Sequence, residues 1–309
     1  MSANTRFENG IRVLLFPLFL VILFFLSTRL SDELSGYVRQ GMSLAAGVII
    51  PSVFPFMILS DLIACTVDFS GMRRMGRTFE RVFSISAVAL GATVIGVLAG
   101  FPIGARMAAE LYRSGSLSRR DAEVVVAVAS TPSLAFTVSG VGAAMLGSTS
   151  QGVMLYLAVI LSAVIVGAIV RGDASQNIAP SCTVRRFSLL GSLDSASRSS
   201  FGIIGAVTAF SVVSGLVRDF IGSEIATAFI LPFLELGGAA SFIASADIGD
   251  GLRVALIGFA LGFSGLSVHL QVRGVLADTD IGYKRFLLMK LTEGGLTAII
   301  ATVLFCFWQ

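Results

Sequence analysis

Apolar residues come in long, unalternating runs at residues 12–30, 41–66, 83–111, 122–147, 151–170, 199–217, 223–246, 251–277 and 286–307. Each is close to or beyond the length a helix needs to cross a bilayer, about 20 residues. The runs are rich in glycine and lack the alternation of a membrane β-barrel, whose strands take about ten residues each. The pattern predicts an all-α polytopic membrane protein. The first run has Arg6 and Arg12 before it, like a signal peptide, but no small-x-small cleavage site follows, so it reads as a retained helix.

Charge changes this count of nine crossings. Cytoplasmic flanks hold the excess of Lys and Arg, and the third run has Arg73, Arg74, Arg77 and Arg81 before it and Arg113, Arg119 and Arg120 after it. Both of its ends therefore read as cytoplasmic. The run is expected to turn back at Gly100-Phe101-Pro102-Ile103-Gly104, where glycine permits the turn and Pro102 cannot continue a helix. The seventh run, IATAFILPFLELGGAASFIASA, is flanked by Arg218 and Glu224 and by Asp247 and Asp250. It reads as a second hairpin, entering from the outside, with its tip around Glu235 and Gly237.

Two re-entrant hairpins give each half the order helix, hairpin, helix, helix, with opposite orientations: an inverted-topology repeat. An ungapped shift lays Gly104-Ala105 on Gly238-Ala239, Arg119 on Arg253, Ser130 on Ser264, Ser133 on Ser267 and Gly140 on Gly274. The expected organisation is a peripheral transmembrane helix over 1–40, a first repeat over 41–170, a cytoplasmic linker over 171–198 and a second repeat over 199–309. The N-terminus is expected in the cytoplasm and the C-terminus outside, with Trp308 at the far interface.

Composition agrees with a bilayer environment: 55% of the 309 residues are hydrophobic and 13% charged. The net charge of +3 sits in a few loops, which is a topology signal and no footprint for nucleic acid. Cys65, Cys182 and Cys306 are far apart and there is one histidine, so neither disulfides, a metal site nor a cofactor is expected.

The candidate chemistry lies where helices break. Ser130-Thr131-Pro132-Ser133 and Ser264-Gly265-Leu266-Ser267 interrupt matching runs in the two halves. Two transmembrane helices are thus expected to be broken, leaving free backbone groups and hydroxyls near the midplane. Such breaks, facing hairpin tips, are how secondary transporters build a substrate site; small residues also serve close helix packing. Arg106 and Glu235 near the tips need a reason to be in the membrane, and Arg106 could instead pair with Glu110. His269 and Gln271 follow the second break, where a histidine can be a site residue or simply packed. Arg273, Lys290 and Glu293 read as long side chains snorkelling to the cytoplasmic face.

GFPIGARMAAELYRSGSLSRRDAEVVVAVASTPSLAF, with GFSGLSVHLQVRGVLADTDI in the second half, resembles the Gate-domain (nucleoside recognition) membrane proteins, and most of all the YlbJ-type sporulation integral membrane proteins. A more distant likeness to concentrative nucleoside transporters rests on architecture. The resemblance implies alternating access, often trimers, and in the sporulation branch movement of dipicolinate toward the forespore. The hairpin tips, the helix breaks and the polar residues near them give the expected substrate site: Phe101, Pro102, Gly104, Arg106, Ser130, Thr131, Ser133, Glu235, Gly237, Ser264, Ser267, His269 and Gln271. The first tip is apolar and the three asparagines lie outside the spans, unlike a nucleoside site, so the cation Arg106 favours a small carboxylate.

The expected function is therefore a secondary transporter of a small anionic metabolite in a bacterial cytoplasmic membrane or a forespore membrane, coupled to Na⁺ or H⁺. A nucleoside transporter and a non-transporting sporulation or envelope protein are the alternatives. Gly262-Phe263-Ser264-Gly265 matches a rhomboid-type serine protease pattern, but His269 is five residues along the same segment, about 140° round a helix. Asp247-Ile248-Gly249-Asp250 lacks the first glycine of an aspartyl intramembrane protease motif. An enzyme is not expected.

Overall fold

The computed structural model describes residues 28–66, 73–86, 89–171 and 188–308, and within them every regular element is helical. The expected first span lies almost wholly outside these residues, as do Arg185, Arg186 and Cys182; the side chains of Cys65, Arg73, Arg74 and Trp308 are also not described.

The first half contains α1 (Ser31–Leu44), a π-helical turn (Ala45–Ile49) and α2 (Ile50–Thr66) as one continuous rod. Next come α3 (Arg73–Phe83), α4 (Ala89–Ala99), α5 (Ile103–Arg113), α6 (Arg119–Ala129), a π-helical segment (Phe136–Met145) and α7 (Thr149–Val170). The second half contains α8 (Leu189–Ile221), α9 (Glu224–Leu234), α10 (Leu236–Ser245), α11 (Asp250–Phe263), α12 (Gly265–Val275) and α13 (Tyr283–Trp308). Among the described residues five stretches are long and apolar enough to cross a membrane: 31–59, 149–170, 189–221, 250–275 and 283–307. The chain is a multi-pass membrane protein.

Two helices extend beyond their apolar runs. The rod starts at Ser31, so it passes through the expected boundary at residue 40, and α8 starts at Leu189 inside the expected linker. Both extensions are rich in Ser, Gly and charged residues, so hydropathy is silent there. Serine caps set several starts: Ser118, Ser148, Ser188 and Ser223 each accept from a backbone amide three residues on.

α4 and α5 pack as a hairpin across the turn at Gly100, and α9 and α10 as a second across Glu235. The segments before and after the first hairpin both bond to Arg171. Arg171 donates to the Arg81 carbonyl (2.7 Å), and Arg120 donates to the Arg171 carbonyl (3.3 Å). At the second hairpin the Asp247 amide donates to Glu224 Oε1 (3.2 Å), joining its entry to its exit.

Close backbone approach holds the first hairpin against α6. A Cβ on Gly104 would lie 1.9 Å from the Ala129 carbonyl oxygen, far closer than carbon and oxygen can approach without a bond. This fits membrane packing, where dispersion between small residues replaces the hydrophobic effect. One buried cluster surrounds this hairpin, α6 and α12, another surrounds α2, α7, α8 and the second hairpin, and Phe101 at the first tip packs against both.

A polar network ties the halves together at the arginine-rich end. Glu123 of α6, nearly buried, pairs with Arg285 (2.9 Å) and Arg119 (3.3 Å) and accepts from the Gly282 amide (3.0 Å). Arg113 bonds Asp278, and the Tyr112 hydroxyl donates to Asp280. These bonds hold the Asp278 and Asp280 carboxyls below the usual carboxylate range.

Two outcomes follow. Gly104→Ala should cost about 1–3 kcal/mol or more by overpacking, whereas Gly36→Ala, on α1 with open space around it, should be neutral; thermal unfolding of the purified protein compares them. A carboxyl lowered by folding stabilises above its unfolded value of about 3.9 and stops doing so as pH falls through the folded value. Amide-exchange protection of residues 276–282 should therefore hold between about pH 5 and 8 and fall below about pH 4. An Asp278→Asn, Asp280→Asn double variant, compared at each pH, should lack that fall.

Candidate functional site

The first tip closes onto the first break. Gly100 takes φ +78, and a Cβ there would sit 2.6 Å from the Ser133 amide nitrogen. The Phe101 amide donates to the Thr131 carbonyl at 3.1 Å, joining the tip to the backbone exposed where α6 stops at Ala129. Ser133 Oγ accepts from the Phe136 amide (3.1 Å) and so starts the helix beyond the break.

The second half repeats this contact. Ser264 (φ +74) and Gly265 (φ +70) break α11 from α12, and a Cβ on Gly265 would come within 3.0 Å of the Leu236 amide nitrogen. Glu235, 3% exposed, caps α10: its carboxylate accepts from the amides of Gly237 (2.8 Å) and Gly238. A carboxylate at a helix N-terminus satisfies otherwise orphaned donors and meets the positive end of the helix dipole.

A cavity lies between the two tip-and-break pairs, with about 30 Å³ open to the centres of water molecules, room for about two waters. Phe101, Ser133, Glu235, Gly237, Ser267 and Gln271 line it, together with apolar side chains from the rod and α8. Its one charged side chain is Glu235. Ser267 Oγ is buried and bonds to no other described group; Ser130 Oγ and Thr131 Oγ1, beside the lining at the first break, share that condition.

The other sequence candidates lie elsewhere. Gly104 serves the contact with α6, and Pro102 sits half-buried in the first tip. Ser264 Oγ donates back to the Leu261 carbonyl (3.1 Å). His269, buried, bonds the Phe263 carbonyl (2.9 Å) and the Tyr283 hydroxyl (3.1 Å), so it and Ser264 have separate partners. Arg106 does not line the cavity: its side chain is 46% exposed, pairs with Glu110 (3.5 Å) and donates to Ser195 Oγ on α8 (3.1 Å). Residing one turn past the tip, it faces α8 rather than the cavity.

Two residues expected to snorkel do not. Lys290 and Glu293 are 0% and 1% exposed and pair at 3.0 Å. The cause is tight packing of α11 on α13, where a Cβ on Gly262 would lie 2.7 Å from the Glu293 carbonyl oxygen. Arg273 is exposed, with its guanidinium 5.6 Å from the Tyr283 ring centre.

The lining residues Ile49, Val53 and Met57 of the rod and Ile203 and Val207 of α8 were not singled out by sequence. Their spacing of four is a helical stripe, but the same stripe occurs on lipid-facing and core-facing helices alike. Among the described residues no group of three His, Cys, Asp or Glu side chains is arranged to hold a metal ion.

No protein-family model matches the chain, and no solved structure matches it. The chain is similar to the sporulation integral membrane protein YlbJ of Bacillus subtilis (strain 168), with 24% identity over 313 aligned residues that cover 86% of this chain and 76% of the relative.

Proposed function

We propose that the protein is an alternating-access secondary transporter of a small metabolite, built as an inverted repeat with two re-entrant hairpins. One observation carries this reading: both hairpin tips and both helix breaks meet at one cavity that holds Ser133, Ser267, Gln271 and Glu235. Irregular backbone at membrane depth is tolerated only against protein or a wet cavity. The re-entrant reading draws support from Arg81, Arg120 and Arg171 meeting at one end and from Glu224 meeting Asp247 at the second hairpin.

For the solute, the resemblance favours a dipicolinate-like dicarboxylate, with nucleosides second. Arg106, between α5 and α8, would then attract an anion toward the cavity instead of binding it inside. Within the cavity a carboxylate would meet Glu235, so it would travel with a proton or a cation that offsets the repulsion. A bacterial membrane with the N-terminus in the cytoplasm, and a homo-oligomer, belong to the same reading.

A second reading is a membrane protein of sporulation that moves no solute. It is favoured by the relative's name, which states sporulation and membrane integration alone, and by the small volume of the cavity.

Uptake by the purified protein in liposomes separates the two. Dipicolinate or nucleoside should enter, and Ser267→Ala or Gln271→Ala should slow entry about tenfold, the worth of one hydrogen bond to solute. Absence of flux for both solutes favours the second reading. In a cysteine-free background, single cysteines at Arg77 and Ser114 should react with an impermeant reagent from the same side, and one at Ser148 from the other. Reaction of 77 and 114 from different sides would remove the first hairpin.

A further inference from the structure

His269 spans a helix break. Its ring belongs to α12, yet Nε2 reaches back across Ser264 to the Phe263 carbonyl, near the C-terminal end of α11, at 2.9 Å. A carbonyl only accepts, so Nε2 carries the hydrogen, and in the neutral ring Nδ1 accepts from the Tyr283 hydroxyl at 3.1 Å. The ring is 1% exposed and packs between Phe263 and Phe286, with ring centres 4.7 and 5.0 Å away. Tyr283 is partly exposed at the start of α13, beside the exposed Arg273. A buried imidazole is thus connected through one hydroxyl to the arginine-rich end of the molecule.

We propose that His269 is a proton-binding site that couples proton uptake, by way of Tyr283, to the geometry of the second helix break. The proposal rests on the transporter reading for its use and on the His269 geometry for its existence. Tyr283 passes its hydroxyl proton to Nδ1 and takes a replacement from hydronium at the exposed end, which is left as water. The product is an imidazolium that donates from both nitrogens, with one positive charge gained and no bond to carbon broken. Its bond to the Phe263 carbonyl becomes charge-assisted, roughly twice as strong as the neutral one, so the two halves of the broken helix are clamped.

Most of the charged groups on the elements packed around the ring are held by partners. On α13, Lys290 pairs with Glu293 and Arg285 with Glu123 of α6. On α5, Arg106 pairs with Glu110 and Arg113 with Asp278; on α8, Arg198 pairs with Asp194. Between α9 and α10, the Glu235 carboxylate holds two backbone amides. Arg273, on α12 itself, lies over the Tyr283 ring.

The single histidine of the chain makes the test direct, because nitrogen-15 histidine labelling of the full-length protein in nanodiscs gives one imidazole. Its spectrum, followed from about pH 8 down to about pH 3.5, should show hydrogen at Nε2 at the upper end and convert to imidazolium within that range. Amide exchange of residues 263–267 should be about tenfold slower in the protonated wild type than in His269→Gln at the same pH. Tyr283→Phe should shift the titration and leave the fold intact. In liposomes, His269→Gln should still exchange dipicolinate but lose at least tenfold of the accumulation driven by a pH gradient. A ring that stays neutral across this range overturns the proposal, as does a His269→Gln protein that accumulates dipicolinate like the wild type. A titrating, clamping His269 in a protein that moves neither dipicolinate nor nucleosides upholds the proton site and overturns the transporter reading.

Discussion

An amide or carbonyl left without a partner in lipid costs several kcal/mol, and that constraint shapes the middle of this molecule. Each helix break frees backbone groups, and each is met by the tip of a hairpin. The Thr131 carbonyl takes the Phe101 amide, and the second break, at Gly265, lies against Leu236. Neither feature is affordable alone in hydrocarbon. A tip with no break to bond, or a break with no tip, would expose donors and acceptors to lipid. The cavity follows from the pairing, since two tips and two breaks cannot interlock without leaving polar atoms such as Ser267 Oγ facing inward.

Close contact and ion pairing fix the first hairpin and its neighbours in place. The first hairpin is locked to α6 through Gly104, where no side chain fits, and the network around Glu123 ties α6 to the loop before α13. Phe101 stands between the two packed clusters and touches both.

The helical character, both hairpin turns and both breaks were legible because each leaves a mark that lipid makes costly. Pro102, Pro132 and the glycines beside the breaks interrupt otherwise apolar runs. The polar helix from Ser31 and the start of α8 at Leu189 were not legible, because a helix outside hydrocarbon carries no hydropathy signal. Arg106 was assigned by its distance from the tip, but its direction depends on α8, which is remote in sequence. Lys290 and Glu293 looked close enough to a helix end to reach water; what buries them is the approach of α11, set by Gly262. Ile49, Val53 and Met57 could not be told from ordinary packing until α8 and the second hairpin were seen across from them.

The charge of the site carries one more consequence. Arg106 lies on the flank, half-exposed and paired, while the carboxylate of Glu235 faces the cavity and is held by two amides. Attraction for an anion is therefore strongest at the approach and weakest at the centre. A binding site of the opposite design, with the cation at the centre, would hold an anion firmly and release it slowly. In the proposed transporter, a cation outside and a capped carboxylate inside would hold an anion less firmly than a central cation would. Under the proposed transporter reading, an anion that reached an ionised Glu235 where the two tips converge would meet repulsion unless a proton or cation accompanied it.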